Sequence, residues 1–226
     1  MREDDSFSPE ERAAIYRCIR ERRDVRRNFR PDPVPPDVLA RVLAAGHAAP
    51  SVGFLQPWNF IVIRESATKE ALHAAFTRAN AEAAAMFEGE RADLYRSLKL
   101  EGLREAPLLL CVTCERERAG PVVLGRTHQS EMDIYSTVCA VQNIWLAARV
   151  ENLGVGWVSI LALADLHRIL AIPEHIVPIA LLCMGYVDEF APTPDLERAG
   201  WRKRLALDDL VFDERFGARE KTPVTG

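Results

Sequence analysis

The sequence has no long apolar run. None of its 226 residues lies in an uninterrupted apolar stretch of about 18 residues, the length that a membrane-spanning helix needs. The first five residues, Met1–Asp5, are mostly charged, and no apolar segment of the kind found in a secretory signal peptide follows them. We therefore expect a cytoplasmic protein that has no membrane partner.

Positive charge is also scarce. The 29 basic residues are outnumbered by 33 acidic ones, and the formal net charge is −4. The basic residues form no long stripe, so a nucleic-acid partner is not expected. With 48% apolar residues the chain can bury a full core, and nothing in its composition indicates disorder. We expect a single domain over residues 1–226.

Cysteine and histidine do not occur in the patterns of a metal or disulfide site. The cysteines are odd in number and scattered, which favours reduced thiols. Cys111 and Cys114 have the spacing of a redox or zinc motif, yet they lie in an apolar run that predicts a buried strand. No second such pair or nearby histidine completes a metal site. We interpret them as small core residues, with the redox or zinc motif as the less favoured alternative, and expect no metal.

Helix and strand signals alternate along the chain. A capping box, Ser8–Glu11, opens a helix that we expect over Pro9–Arg22, and a second helix should end before Pro50. A long alanine-rich helical stretch is predicted over Ala67–Arg104, with a break near Gly89. The predicted strands are Trp58–Ile63, Leu108–Cys114, Gly154–Ile160 and Ile176–Gly185. This interleaving indicates an α+β or α/β domain.

The segment Met132–Val150 is apolar on almost every side of the helix that it predicts. Its apolar residues fall on two stripes rather than one. A helix with this pattern is buried from several sides. It lies either in the centre of the domain or in a subunit interface.

Three arginines within five residues form the first candidate binding site. Arg22, Arg23 and Arg26 follow the first predicted helix, and guanidinium groups bind phosphate oxygens in a bidentate way. Asp24 lies among them and would repel a phosphate. It either neutralises a neighbouring arginine or has another role, and the pattern leaves both open. A second basic cluster, Trp201–Arg204, is either a solvated surface or the other half of a phosphate site.

Two further segments offer polar groups next to exposed backbone. The first, Pro50–Trp58, contains the Ser51 hydroxyl and the Gln56 amide, and it is either a plain turn or part of a site. The second, Gly154–Ser159, lacks the third glycine of the dinucleotide-binding fingerprint and leads into a strand. The Rossmann fingerprint is therefore absent from it.

Together these motifs resemble the FMN-binding nitroreductase-like family, from about residue 8 to residue 217. Within that family the sequence closely resembles the flavin destructases, the 5,6-dimethylbenzimidazole synthases of the BluB type. The segments that carry the likeness are Arg22–Phe29, Ala49–Phe60, Ser97–Gly102, Val123–His128, Met132–Asn143, Gly154–Ile160 and the late motif that begins at Arg204.

The resemblance implies an α+β fold with a central, mostly antiparallel sheet flanked by helices, and an intertwined homodimer with two FMN sites at its interface. It also implies a helical lid over the flavin ring, at about residues 81–106. Asp24 and Ser159 would be catalytic, and ordinary nitroreductases carry serine in place of Asp24. The residues implied in FMN binding are Arg22, Arg23, Asp24, Val25, Arg26, Ser51, Gln56, Lys99, Gly156, Ser159 and Arg204.

The implied reaction is the oxygen-dependent fragmentation of reduced FMN to 5,6-dimethylbenzimidazole, the lower ligand of vitamin B12, and erythrose 4-phosphate. FMN is then a substrate rather than a recycled cofactor, dioxygen is the co-substrate, and a separate flavin reductase supplies reduced FMN. Two alternatives stay open. One is an NAD(P)H-dependent FMN nitroreductase or flavin reductase on the same fold, and the other is a non-enzymatic FMN carrier.

Overall fold

The computed structural model describes residues 6–218, in two compact units that meet in sequence between Pro192 and Thr193. In chain order the first unit contains α1 (Pro9–Glu21), α2 (Pro36–His47), β1 (Trp58–Ile63), α3 (Ser66–Ala84), α4 (Gly89–Ser97), β2 (Leu108–Glu115), α5 (Met132–Val150), β3 (Leu153–Val158), α6 (Leu163–Leu170) and β4 (Ile176–Tyr186). The second unit contains the short helix α7 (Asp195–Arg198). Within residues 6–218, no helix is long and apolar enough to cross a membrane.

The strands form one four-stranded sheet in the order β1-β2-β4-β3, and every neighbouring pair is antiparallel. The predicted α+β fold with a mostly antiparallel sheet is therefore confirmed. β2 is paired on both sides and is buried from Leu108 to Cys114, as its continuous apolar run predicts. β3 ends at Val158, two residues earlier than predicted, so Ser159 follows the strand instead of lying in it.

Each face of the sheet is covered by helices. Leu110 points to the side of α2 and α5, where it packs with Val42 and Ile144. Its neighbour Leu109 points to the other side and packs with Leu72 of α3. This alternation is the period of two that a strand imposes on its side chains, and it divides the core into two apolar layers.

The predicted long helix between residues 67 and 104 is divided in two and ends early. α3 stops at Ala84, and Gly89 begins α4 with a φ of 53°. Beyond Ser97 the chain leaves the helical path because tertiary packing decides its course. Leu103 is fully buried there, and a Cβ on Gly102 would lie 2.7 Å from the ring of Phe29.

Helix α1 begins as predicted, but it buries none of its residues. The Ser8 side chain accepts the N–H of Glu11, and the Glu11 carboxylate accepts the N–H of Ser8, which completes the capping box. The apolar side chains of Ile15 and Ile19 stay 45% and 46% exposed. An amphipathic helix normally buries its apolar face, but nothing within residues 6–218 covers this one.

Helix α5 packs one face on the sheet and leaves another open. Ile144 and Ala148 are fully buried, whereas Tyr135 and Val138 are 55% and 38% exposed. The helix is therefore central in the domain, which is one of the two predicted placements. Part of its apolar surface, including Tyr135 and Val138, stays exposed within residues 6–218.

Cys111 and Cys114 are both free thiols buried in β2, in agreement with their interpretation as core residues. Burial raises the pKa of Cys111 to about 12, so this thiol stays protonated and unreactive in the folded protein. Among residues 6–218, no group of three or more histidine, cysteine, aspartate or glutamate side chains is placed to hold a metal ion.

Candidate active site

The candidate site lies at the free edge of β3. After α1 ends, the chain turns and runs beside this strand, where Asp24 forms an isolated parallel bridge with Val155. The N–H of Val25 donates to the carbonyl of Val155 over 2.9 Å. The two residues therefore extend the sheet by a short piece of strand and fix the side chain of Asp24.

Gly156 makes this approach possible. A Cβ at this position would lie 1.9 Å from the carbonyl oxygen of Val25, a separation at which backbone has to move. The same atom would lie 3.5 Å from Oδ1 of Asp24. Glycine is required here because no side chain fits between the two backbone segments.

Both carboxylate oxygens of Asp24 accept hydrogen bonds. The backbone N–H of Trp157 donates to Oδ1 over 3.0 Å, and a guanidinium N–H of Arg26 donates to Oδ2. Donors on both oxygens favour the ionised form of a carboxyl group. Asp24 thus neutralises Arg26 and is also anchored on β3, and its side chain remains 33% exposed.

The arginines of the cluster have different surroundings. The guanidinium of Arg22 lies over the ring of Trp145, 4.7 Å from the centroid, in cation–π geometry. Arg23 donates to main-chain carbonyls at both ends of the first unit, those of Arg20, Arg22, Ala191 and Pro192. These bonds use four of the five N–H groups of its guanidinium, so Arg23 ties the end of α1 to residues 191–192 and has little left for a phosphate.

The surroundings of Arg26 differ from those of Arg22 and Arg23. Its side chain is only 13% exposed, and its Nε–H is buried with no hydrogen-bond partner among residues 6–218. A buried donor without an acceptor is uncommon in a folded protein and costs free energy unless a ligand or water satisfies it. This orphaned N–H fits an acceptor supplied by a bound molecule.

Lys99 lies on the segment between α4 and β2, which approaches the chain after Asp24 three residues further on, at Gly102. A Cβ on Gly102 would lie 3.4 Å from the carbonyl of Arg26, which shows how close the two segments run. The ammonium of Lys99 donates to Glu101 over 2.6 Å and to Glu105 over 2.7 Å. Partial burial alone would lower the pKa of Lys99, but the two carboxylates outweigh it and hold the pKa above its ordinary value.

The loop that contains Ser51 and Gln56 is rigid and strained. The Ser51 hydroxyl accepts the N–H of Gln56 over 3.0 Å, and Ser136 accepts the N–H of Val52 over 3.0 Å. Phe54 and Gln56 have φ angles of 53° and 49°, which side chains other than glycine rarely adopt. Such strain persists only where the surroundings hold it, and it is concentrated at functional sites.

A single subunit does not bring all the predicted site residues together. Ser51 and Gln56 lead into β1, which is one edge of the sheet, whereas Asp24 and Ser159 lie at β3, the opposite edge. Ser159 is exposed directly after that strand. Arg204 is an exposed residue of the second unit, and its part in the site stays a prediction.

Three contributors to the site were not predicted. They are the backbone N–H of Trp157, the ring of Trp145 under Arg22, and the buried carboxylate of Glu101. A backbone N–H has no signature in the sequence. Glu101 does lie in a segment singled out for its resemblance, but only its contact with Lys99 distinguishes it from a surface acid.

The family model described as the nitroreductase family matches residues 19–186, from the end of α1 through β4. The match includes Asp24, Lys99, Gly156 and Ser159. The chain belongs to the nitroreductase family. Within the matched segment, aspartate follows the first two arginines, Arg22 and Arg23.

The chain is also similar to individual proteins of the family whose enzymatic activity is named. The chain is 43% identical to the 5,6-dimethylbenzimidazole synthase of Rhodospirillum rubrum, over 90% of this chain and 96% of that protein. It is 40% identical to the enzyme of the same name from Rhodobacter capsulatus, over 90% of this chain and 98% of that one. A crystal structure of iodotyrosine deiodinase bound to FMN and 3-iodo-L-tyrosine is similar in fold, with a TM-score of 0.66 and 22% identity over 79% of this chain and 92% of that chain.

The edge contact at Gly156 can be tested by stability. We expect Gly156→Ala to lower the free energy of unfolding by roughly 3 kcal/mol or more, since its Cβ meets backbone that cannot give way. Gly154→Ala is the matched control two residues earlier, because its Cβ meets only side chains of Val187 and Val25. It should cost roughly 1–3 kcal/mol. Equal losses in guanidinium denaturation of the two variants would contradict the assignment of Gly156 to the edge contact.

Proposed function

We propose that this protein is a 5,6-dimethylbenzimidazole synthase, which consumes reduced FMN and dioxygen and releases 5,6-dimethylbenzimidazole and erythrose 4-phosphate. The observation that carries the proposal is Asp24, an ionised carboxylate anchored on β3 where ordinary nitroreductases carry serine. The 43% identity to the Rhodospirillum rubrum synthase over 90% of the chain supports it.

The residues at the edge of β3 suit a phosphorylated, anionic ligand such as FMN. Arg26 presents an orphaned Nε–H, and Arg22 adds positive charge. We infer that Arg22 and Arg26 hold the phosphate, and the part of Arg204 stays a prediction of the resemblance. Arg23, which the resemblance also places there, acts on this proposal by fixing the end of α1.

Bound reduced FMN supplies the carbon skeleton of the product and the electrons that activate dioxygen. The carboxylate of Asp24 is charged and one-third exposed, so it can take a proton from a ligand at its open side, and we assign it to the ribityl carbon. The hydroxyl of Ser159 is exposed at the end of β3 and would donate a hydrogen bond to the flavin. The lid at about residues 81–106 would exclude water and bulky electron acceptors.

A homodimer would complete the site. Ser51 and Gln56 lie at the opposite edge of the sheet from Asp24, so we infer that the partner subunit supplies them. The unpartnered apolar faces of α1 and α5 give this second copy a surface to cover. Between these helices lies an apolar groove of about 330 Å³, lined in part by Ile15, Ile19 and Leu146.

One product assay separates the proposal from its rivals. Reduced FMN and air are added to the protein, and 5,6-dimethylbenzimidazole is sought by mass spectrometry. A nitroreductase or flavin reductase would instead oxidise NADPH steadily and leave the flavin intact, and an FMN carrier would return oxidised FMN unchanged. The separate flavin reductase and the cytoplasmic setting stay predictions.

Asp24→Asn tests the chemistry. Asparagine keeps the size of the side chain and an oxygen that can accept the Trp157 N–H, but it cannot take up a proton at working pH. We expect product formation in a single turnover to fall by about 10²–10⁴, the worth of a positioned acid or base, while bound reduced FMN is still oxidised by dioxygen. Ser159→Ala should lower the yield less. A near-normal product yield per bound flavin from Asp24→Asn would rule out its catalytic role.

Phosphate binding can be separated from chemistry with riboflavin, which lacks the phosphate. Arg22→Ala and Arg204→Ala should each weaken reduced FMN binding by roughly 1.5–3 kcal/mol, the worth of a charge-assisted hydrogen bond, and should hardly affect riboflavin. Arg23→Ala is the control within the cluster. Because its guanidinium binds main-chain carbonyls, it should change the affinities for both flavins equally. Unchanged FMN affinity in the Arg22 and Arg204 variants would refute the phosphate site.

Dimerisation can be tested at Val138, which is 38% exposed on α5. Val138→Asp places a charge in the proposed interface without entering the core, so it should yield a folded monomer that has lost FMN affinity. Leu163→Asp is the control, because Leu163 is 54% exposed on α6 and should tolerate a charge. Sedimentation and FMN titration measure both properties. A Val138→Asp monomer with full FMN affinity would contradict the shared site.

A further inference from the structure

Lys99 is held by two acids that differ in their surroundings. Glu101 is 7% exposed, and besides binding Lys99 it accepts the N–H of Leu103 at its other oxygen, over 2.7 Å. Glu105 binds the same ammonium through a side chain that is 43% exposed. Glu101 is therefore hydrogen-bonded within the protein at both carboxylate oxygens, whereas Glu105 is partly exposed to solvent.

The two acids also differ in how easily they give up Lys99. If the ammonium leaves Glu105, water solvates the carboxylate at once. If it leaves Glu101, a buried charge loses its counter-ion, which is strongly unfavourable. A competing anion would therefore displace Glu105 and leave the bond to Glu101 in place.

The cluster lies beside the flavin-binding edge. Gly102 lies close to the carbonyl of Arg26, two residues after Asp24. Cys183 is paired with Gly156 in the sheet, and its pKa is raised to about 12, mainly by burial and to a smaller extent by the charges of Glu101 and Asp24. Lys99 is thus bound by Glu101, an acid that is itself held by the N–H of Leu103 and adjoins Gly102 in the chain.

We propose that Glu101 is a positioning residue that holds Lys99 toward the flavin, and that Glu105 occupies the ammonium only until the anionic flavin displaces it. The inference rests on the proposed function, in which Lys99 contacts FMN. On this inference, Glu101 strengthens flavin binding through Lys99, and Glu105 weakens it through the same lysine.

Glu101→Gln and Glu105→Gln form a matched pair. Lys99 and Leu103 donate to different oxygens of Glu101. In Glu101→Gln one of these oxygens is replaced by an NH2 group that cannot accept and the charge is lost, so Lys99 loses its fixed position. We expect FMN affinity, measured by calorimetric titration, to fall about tenfold, in line with one charge-assisted hydrogen bond. Glu105→Gln removes the competing charge and keeps Glu101, so affinity should rise about threefold to tenfold.

The gain in Glu105→Gln must act through Lys99. In a Lys99→Met background the same substitution should change FMN affinity less than twofold, whereas a general loss of negative charge would strengthen binding there too. This comparison needs no Glu101 variant, so it remains decisive if Glu101→Gln does not fold.

The inference is overturned if both glutamine variants shift affinity in the same direction, or if the Glu105→Gln gain survives without Lys99. The wild-type protein separates this outcome from failure of the proposed function. If it binds FMN and forms 5,6-dimethylbenzimidazole while the variants behave alike, only the roles of Glu101 and Glu105 are wrong.

Discussion

The backbone contact between residues 24–25 and β3 determines where the groups at the β3 edge of the candidate site lie. One hydrogen bond, from Val25 to Val155, aligns the segment with the strand, and the missing side chain of Gly156 lets it come close. This alignment brings Oδ1 of Asp24 to the N–H of Trp157. The direction of Arg22 and Arg26 follows from it, because they flank a segment that can no longer rotate.

The anchored carboxylate changes how the basic cluster works. Three arginines in sequence suggest a single strong anion site, yet Asp24 balances the charge of Arg26 and Arg23 is occupied by main-chain carbonyls. Less positive charge is therefore free for a phosphate than the sequence indicates.

Much of the fold was predictable because it follows from local patterns. The capping box fixed the start of α1, and the unbroken apolar run predicted the buried strand β2. Side-chain partners were not predictable, since Arg23 binds Ala191 across the unit and Lys99 binds acids whose burial depends on tertiary packing. The early end of α4 at Ser97 has the same cause, because burial of Leu103 overrides helical periodicity.

The strained loop before β1 gives an independent physical reason for a shared site. The φ angles near 50° at Phe54 and Gln56 cost free energy. The hydrogen bonds that Val52 donates to Ser136 and Arg118 donates to the carbonyl of Gln56 hold the loop in place. Within one subunit the strained loop does not reach Asp24, because it lies at the opposite edge of the sheet, and Phe54 is 82% exposed. In the proposed dimer the same rigid loop faces the partner's flavin, and its preformed shape lowers the entropy lost on binding.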